Sequence, residues 1–291
     1  MPDFEAIDLS RQDAYLDKLR QCPEKTSDYS FINLWAWAEE HGLAWSWQDD
    51  LVWIRQSSPT SCLWAPIGAW EQVDWRTAFK QAACKELPFV RVPRRLKDIW
   101  SAALAGGLET REARGHFDYL YSVPELVELK GNRFHAKKNL LNQFMKRHQH
   151  QYRAIDAAAI QAVLSAQDRW CAWRDCGSFE SLAAENRAVC RVLNDWEKLK
   201  GIMGALIEVD QRIAAFTVAE HFAADTLLIH FEKGLPDYTG IYQAINQMFL
   251  AHNPGYATVN REQDLDDDGL RQAKLSFQPI GFMQKYEVKI L

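Results

Sequence analysis

Three strand-like segments follow one another with no helix between them, at Met203–Val209, Ile213–His221 and Thr226–Glu232. Only a few residues separate them, and the turns fall at Asp210-Gln211 and Ala223-Ala224-Asp225. A turn this short joins antiparallel strands, because a parallel crossover needs about a dozen residues or more. This part of the chain therefore predicts an antiparallel meander.

The elements around the meander complete an α+β order. Two helical segments precede it, and a helix, a strand, a helix and a strand follow it, at 157–173, 182–198, 241–252, 256–260, 267–276 and 283–290. The first half of the chain has a similar order, so we predict two units, 1–122 and 123–291. No residue-level repeat supports this duplication. Nine of the twelve tryptophans lie in the first hundred residues, which makes the first unit Trp-rich and unlike the second.

The composition is that of a globular protein, with 47% hydrophobic and 25% charged residues over 291 positions and a net charge of −5. No apolar stretch approaches the roughly 18 residues of a membrane helix, and the acidic N-terminal residues do not resemble a signal peptide. The net charge disfavours a general nucleic-acid coat protein. We expect a cytoplasmic protein without membrane insertion.

The six cysteines, at positions 22, 62, 84, 171, 176 and 190, lack the spacing of metal ligands. Cys171 and Cys176 are five residues apart, which fits neither a zinc knuckle nor a redox motif. We expect buried, reduced thiols and no metal site.

The densest group of chemically specific side chains lies between a predicted strand and a predicted helix. Tyr256 and Val259 are strand-forming, and a polar run follows them directly. Ends of strands that lead into helices commonly carry the sites of α/β proteins. Lys274, in the following helix, could pair with an acid of this run. The candidates for a substrate pocket are Asn260, Arg261, Glu262 and Asp264; the alternative is a solvated loop.

The loop from Lys233 to Gly240 joins a strand to a helix N-terminus, an arrangement whose free N–H groups can hold a phosphate. Lys233, Gly234 and Gly240 are the candidates, although the loop has no Gly-rich phosphate-binding signature. An ordinary connection is the alternative.

The segment from Lys130 to Arg153 contains seven cations and no acid, which is unusual in an acidic protein. Such a surface attracts phosphodiesters, and Arg133, Lys137 and Lys138 are the candidates for contact with RNA. A solvated helix face that pairs with acids from elsewhere is the alternative.

Alternation along the strand before this loop places Thr226, Leu228, His230 and Glu232 on one face and Leu227, Ile229 and Phe231 on the other. Glu232 could act as a base or orient an amine, His230 could contact a substrate or carry a proton, and Tyr242 could protonate a leaving group. The alternatives are a buried core histidine and a core or rim tyrosine.

Three segments carry a resemblance to a known family: Ser27 to Trp35, Lys130 to Phe144 and Asn260 to Leu265, the last extended by Gly269 to Pro279. They resemble the C-terminal domain of phosphatidylglycerol lysyltransferases, and more closely its stand-alone bacterial relatives, a domain of unknown function. The membrane-spanning half of the lipid-modifying enzymes has no counterpart in this sequence.

The resemblance implies two tandem GNAT-like units of the acyl-CoA N-acyltransferase type, each a mostly antiparallel mixed sheet flanked by helices. It implies a transferase in which an amine or hydroxyl of a small molecule or peptide attacks an activated acyl group directly. The co-substrate would be aminoacyl-tRNA or coenzyme A, with no covalently bound cofactor, and 123–291 would be the active half.

Two other functions stay open at this point. A non-catalytic binding module would keep the pocket for a small molecule or peptide. A structural interaction protein would use the Trp-rich first half as its contact surface.

Overall fold

Two compact units form the chain in a computed structural model, which describes residues 3–48, 50–81 and 87–291. The first unit comprises the described residues up to Asp118 together with Gln263–Asp266 and Met283–Leu291. The second comprises Tyr119–Glu262 and Asp267–Phe282. The α+β fold class predicted from the order of elements is confirmed, since each unit is built on one sheet with helices.

The sheet of the first unit has seven strands in the order β1-β2-β3-β4-β5-β14-β6. They are β1 Glu5–Ala6, β2 Ala44–Gln48, β3 Leu51–Gln56, β4 Cys62–Ile67, β5 Phe89–Pro93, β6 Leu108–Glu112 and β14 Lys285–Ile290. Its helices are α1 Gln12–Gln21, α2 Phe31–His41, α3 Trp75–Gln81 and α4 Arg94–Leu104. Most neighbours are antiparallel, and β4 with β5 is a parallel pair.

The core of the first unit explains the concentration of tryptophan. Six of the nine are buried, Trp45, Trp53, Trp64, Trp70, Trp75 and Trp100. Edge-to-face contacts join several of them, with the rings of Trp75 and Trp100 5.4 Å apart. Aromatic packing of this kind stabilises a core beyond its buried area. Most of these side chains are therefore part of the hydrophobic core. This disfavours the hypothesis of an interaction protein that uses the tryptophans as a contact surface.

A buried charge cluster holds the last strand of the chain in the first unit. The Lys285 side chain is fully buried, and its Nζ lies 2.6 Å from Asp118 Oδ1 and also contacts Asp28. Arg91 pairs with Asp28, and Ser27 donates from its backbone N–H to Asp118 at 2.8 Å. Burial would raise the pKa of Asp28, but the charges of Lys285 and Arg91 hold it well below its usual range.

The sheet of the second unit also has seven strands, in the order β13-β7-β12-β11-β10-β9-β8. They are β7 Asp118–Ser122, β8 His150–Ala154, β9 Ile202–Val209, β10 Arg212–Ala223, β11 Thr226–Gly234, β12 Thr258–Asn260 and β13 Gly281–Met283. The helices are α5 Val123–Glu128, α6 His135–Arg147, α7 Ile160–Arg174, α8 Glu180–Asn194, α9 Ile241–His252 and α10 Asp268–Leu275. The predicted meander is confirmed as β9, β10 and β11, which pair antiparallel.

Strand membership differs from a simple division of the chain at residue 122. The last predicted strand, 283–290, was assigned to the second half, but β14 pairs with β5 and β6 in the first sheet. Conversely, β7 pairs with β12 in the second sheet. The hydrophobic pattern marks a strand without identifying its neighbour, because pairing partners are set by tertiary structure.

An irregularity in β11 changes the face on which Glu232 lies. Val218 pairs with Phe231 but the next residue, Ala219, pairs with Ile229, so His230 is an extra residue in β11. Glu232 contacts Asn246 in α9, and Ile229 packs in the same α9-side core. The alternation that placed Glu232 opposite Leu227 and Ile229 is therefore wrong, because a bulge shifts the side-chain period.

The expectation of reduced cysteines is wrong for one pair. Cys171, near the end of α7, forms a disulfide with Cys176, and their Cα atoms are 5.1 Å apart. Asp175 has a left-handed backbone conformation, with φ of 54°, which ends α7 and reverses the chain between the two cysteines. Cys22, Cys62 and Cys190 are free thiols, and Cys84 lies outside the described residues.

Across the described residues, we find no helix with both the length and the apolar character needed to cross a membrane.

Candidate functional site

Two parallel strands diverge at the centre of the second sheet. Thr226 to Leu228 of β11 pair with Thr258 to Asn260 of β12, where β12 ends while β11 continues to Gly234. Beyond the last pair, β11 contributes His230 and Glu232, and the chain after β12 contributes Arg261 and Glu262. The strand ends thus bring four of the predicted site residues close to the point where the β11–β12 pairing stops, which we call the opening between β11 and β12.

An ion pair bridges this opening on the α9 side. Arg261 Nη2 donates to Glu232 Oε1 at 2.8 Å, and Asn246 in α9 donates to Glu232 Oε2 at 3.2 Å. Only 13% of the Arg261 side chain and 8% of the Glu232 side chain are exposed. The guanidinium lies 4.6 Å from the ring centre of Phe277 and 5.8 Å from that of Tyr121. Both residues are therefore fixed in position before any ligand binds.

A second charged group contains His230 and Glu262. The buried His230 ring contacts Glu262 through Nδ1 at 3.0 Å and Glu220 through Nε2 at 3.5 Å. Burial lowers the pKa of His230, but hydrogen bonds and charge from the two glutamates raise it to about 9. His230 is thus an imidazolium at neutral pH, which suits a fixed cation better than a proton carrier.

Glu262 has a left-handed backbone, with φ of 54°, and its N–H donates to Asn260 Oδ1 at 2.8 Å. Its carbonyl accepts from Tyr119 of β7, the neighbouring strand, at 3.1 Å. About a fifth of its side chain, 21%, is exposed. The buried Asn260 therefore shapes the turn that directs Glu262 towards His230.

Tyr242, in the first turn of α9, has a hydroxyl that accepts a hydrogen bond from Trp170 Nε1 at 3.3 Å and another from the Gly234 N–H. Burial raises the pKa of Tyr242, and the nearby charge of Glu232 acts in the same direction. A phenol that accepts two hydrogen bonds and stays protonated still has its own proton to donate. Tyr242 is therefore a mostly buried, protonated phenol in the first turn of α9.

The predicted phosphate loop is more closely packed than expected. Lys233 is buried, pairs with Glu185 of α8 at 2.6 Å and lies 3.9 Å from the Trp170 ring centre. Burial lowers the pKa of Lys233, an effect that Glu185 opposes. Gly240 has φ of 89°, and a Cβ there would lie 2.1 Å from the Leu140 carbonyl oxygen in α6. A Cβ at Gly234 would lie 2.8 Å from Ile241 Cγ2, so both glycines have packing roles.

The three basic candidates around α6 differ in their surroundings. Arg133 pairs with Glu125, and Lys138 is exposed. Lys137 is half-buried, with its Nζ 4.1 Å from the Phe277 ring centre. Burial and the charge of Arg261 lower the pKa of Lys137. Lys137 therefore connects the basic segment to the opening between β11 and β12.

Two further candidates have other partners. Asp264 belongs to the first unit, where its buried carboxylate pairs with Arg114 at 3.2 Å. Lys274 in α10 donates to the backbone carbonyl of Arg261. Lys274 thus supports the chain beside Arg261, whereas Asp264 has a role in the fold of the first unit.

Sequence reasoning missed Tyr121, Phe277, Asn246 and Glu220. Phe277 lies in a segment that carried the family resemblance but was given no role. A carboxylate within the apolar run Ile213–His221 could have drawn attention to Glu220. The role of Tyr121 depends on the pairing of β7 with β12, for which the sequence contains no local signal.

Residues 19–289 match the sequence model of one protein family. The description of that family is "Phosphatidylglycerol lysyltransferase, C-terminal". Among curated proteins, an uncharacterized protein of Mycoplasmoides gallisepticum is 25% identical over 180 residues, or 60% of this chain. The match covers 56% of that relative's length.

Solved structures match over nearly the whole chain. A conserved protein of unknown function from Bacteroides thetaiotaomicron is 28% identical over 100% of both chains, with a TM-score of 0.90. L-PGS from Bacillus licheniformis is 12% identical over 98% of this chain and 93% of its own, with a TM-score of 0.68. A tandem GNAT protein from the clavulanic acid biosynthesis pathway is 7% identical over 100% and 98%, with a TM-score of 0.51. The predicted fold of two GNAT-like units is thereby confirmed.

Proposed function

Because the chain belongs to the phosphatidylglycerol lysyltransferase C-terminal family, we propose that it transfers an aminoacyl group from aminoacyl-tRNA to an amine or hydroxyl of a small molecule or peptide. Family and fold support an acyl- or aminoacyl-transferase kind of function. The active centre in this proposal is the opening between β11 and β12 in the second unit. The observation that carries it is the fixed Arg261–Glu232 pair at this opening, beside a protonated Tyr242.

The residues divide the reaction between them. The acceptor nitrogen or oxygen forms a bond to the acyl carbon, and the bond from that carbon to the ribose oxygen breaks. Tyr242 donates its proton to the leaving oxygen, and the proton that the acceptor loses replaces it. Glu232, held in position by the hydrogen bond from Arg261, orients the acceptor. No covalent intermediate with the protein is needed.

The charge distribution favours aminoacyl-tRNA over coenzyme A as the donor. The basic side chains Lys138, Lys146 and Arg147 of α6 are exposed and can contact RNA phosphates. Lys233, the cation predicted to assist phosphate binding at the loop, is buried and paired with Glu185. It is therefore not available to a coenzyme A phosphate unless this pair breaks.

A transfer assay tests the proposal. With labelled aminoacyl-tRNA and a panel of amines, we expect wild-type protein to form an acylated product. Glu232→Gln and Tyr242→Phe should each lower the rate about 100-fold or more, while RNA affinity changes less than about twofold.

Two variants serve as matched controls. Glu208→Gln removes a carboxylate that pairs with Arg153 on another strand, and Tyr256→Phe removes a hydroxyl that contacts His221. Both should transfer at the wild-type rate. RNA binding without product from any acceptor, with Glu232→Gln altering affinity alone, would instead identify a binding module.

A further inference from the structure

Two cations share one aromatic ring in the second unit. The Phe277 ring centre lies 4.6 Å from the Arg261 guanidinium carbon and 4.1 Å from Lys137 Nζ. Like charges repel, and the pKa of Lys137 is lowered by burial and also by the charge of Arg261. A ring can attract each cation separately, but it does not neutralise either one. Glu232 already pairs with Arg261, so an additional anion near the ring would further reduce the repulsion between the two cations.

The hydrogen-bonding capacity of Arg261 is incompletely used. Nη2 donates to Glu232 and the backbone N–H donates to Tyr119. Nη1 is buried and has no hydrogen-bond partner within the described ranges. A buried donor without an acceptor destabilises the folded protein, and more so when the group is charged. Oxygen atoms of a ligand would remove this cost.

The charges around Phe277 do not balance. Glu232 compensates Arg261, but within the part of the chain that the structure describes no carboxylate pairs with Lys137. The surplus is positive, and the exposed cations Lys138, Lys146 and Arg147 lie on the same helix as Lys137. An arginine fork next to a lysine point charge matches the several oxygens of a phosphate better than it matches a neutral group.

We propose that Arg261 Nη1 and the Lys137 ammonium, held by the Phe277 ring, form a subsite for the phosphate of a phosphate ester. The subsite rests on the proposed function only for its place in a reaction, since it can bind phosphate whether or not transfer occurs. In that reaction it fixes one substrate by its phosphate, so that the reacting group lies near Glu232. The phosphate belongs either to the RNA donor or to a phosphorylated acceptor.

Competitive labelling of lysines tests the subsite without an activity measurement. The folded protein is treated briefly with acetic anhydride at pH 8, with and without inorganic pyrophosphate, and mass spectrometry follows Lys137 and Lys138. We expect pyrophosphate to reduce labelling of Lys137 at least about fivefold and that of the exposed Lys138 less than about twofold. Equal protection of both lysines, or protection of neither, would overturn the proposal.

Variants separate the subsite from the general charge of α6. Arg261→Met should abolish the protection of Lys137, and Arg261→Lys should retain part of it because the charge remains. Lys138→Met, a matched loss of charge on the same helix, should leave pyrophosphate binding at the wild-type level. A loss with Lys138→Met as large as with Lys137→Met would mean that the helix binds anions without a defined site.

Two soluble esters identify the source of the phosphate. A single-stranded RNA trinucleotide represents the donor, and glycerol 3-phosphate represents an acceptor head group. Protection of Lys137 at a lower concentration of one ester assigns the subsite to that substrate. Failure of both esters where pyrophosphate protects would exclude a phosphate-ester site. If no transfer is detected but protection holds, the proposed function fails and the subsite stands. If Arg261→Met transfers at the wild-type rate, the proposed function stands and the subsite has no place in the reaction.

Discussion

Replacing Lys285 with methionine removes a cation that contacts both Asp28 and Asp118 in the first unit. The side chain is fully buried, and methionine has a similar length, so the substitution changes charge much more than volume. Asp28 keeps Arg91 as a partner, and Asp118 keeps its hydrogen bonds from Ser27. The variant therefore keeps both buried carboxylates but loses the cation that contacts the two of them.

The expected loss of stability depends on the carboxylates that stay buried after the cation is removed. Removing one partner of a buried ion pair destabilises by about 3–5 kcal/mol, because the other charge stays buried without compensation. The remaining contacts of Asp28 and Asp118 place the expected loss near the lower end, about 3 kcal/mol. With a slope of about 3 kcal/mol per molar urea, the midpoint should fall by about 1 M.

Tryptophan fluorescence during urea unfolding measures this loss, because most tryptophans lie in the first unit. Lys289→Met is the matched control, since Lys289 is exposed on the same strand and its loss should change stability by less than about 0.5 kcal/mol. Lys285 holds the pKa of Asp28 below its usual value of 3.8, and this contribution to stability is lost in the wild type as Asp28 becomes protonated. The difference between Lys285→Met and wild type should therefore narrow as pH falls below about 4. A loss below about 1 kcal/mol, or one that does not vary with pH, would refute the reasoning.

The remaining predictions concern the second unit. The folded-state pKa of His230, about 9, exceeds its usual value of 6.5, so His230 stabilises the fold fully below about pH 6.5, and this contribution is lost as pH rises through about 9. NMR titration of the imidazole should find it charged at pH 7; a neutral ring would contradict this. Gly240→Ala should destabilise by about 3 kcal/mol or more in thermal melts, because a Cβ would lie 2.1 Å from Leu140 O. Gly131→Ala, at a similar φ of 88° but with ψ of 165° and open space around the Cβ, should cost less, about 1–3 kcal/mol from backbone strain alone. Equal losses at the two glycines would show that backbone strain alone explains both.

Local patterns were sufficient to predict most elements of the second unit. Helix α9 begins and ends where its apolar period predicted, at Ile241–His252, and the meander strands lie within a few residues of their predicted ends. Period and turn residues act over short distances along the chain, so one sequence contains enough information for them. The site residues are predictions that the structure places but does not test.

What the sequence could not reveal depends on contacts between distant segments. The bulge at His230 leaves no residue-type signal, yet it reverses the face of Glu232. The partner of Lys233 is Glu185, 48 positions earlier in the chain, and no local rule links the two. Ion pairs of this kind are set by how helices pack on the sheet, which a periodic pattern leaves undetermined.

The exchange of β7 and β14 also affects the order in which the protein can fold during synthesis. Residues 285–290 leave the ribosome after every residue of the second unit, yet they fill the gap between β5 and β6. Until then, those two strands have unpaired edges and the Asp28 and Asp118 carboxylates lack Lys285. The tryptophan-rich unit is therefore translated before the second unit but completed after it. During that interval its unpaired strand edges can pair with other chains and aggregate.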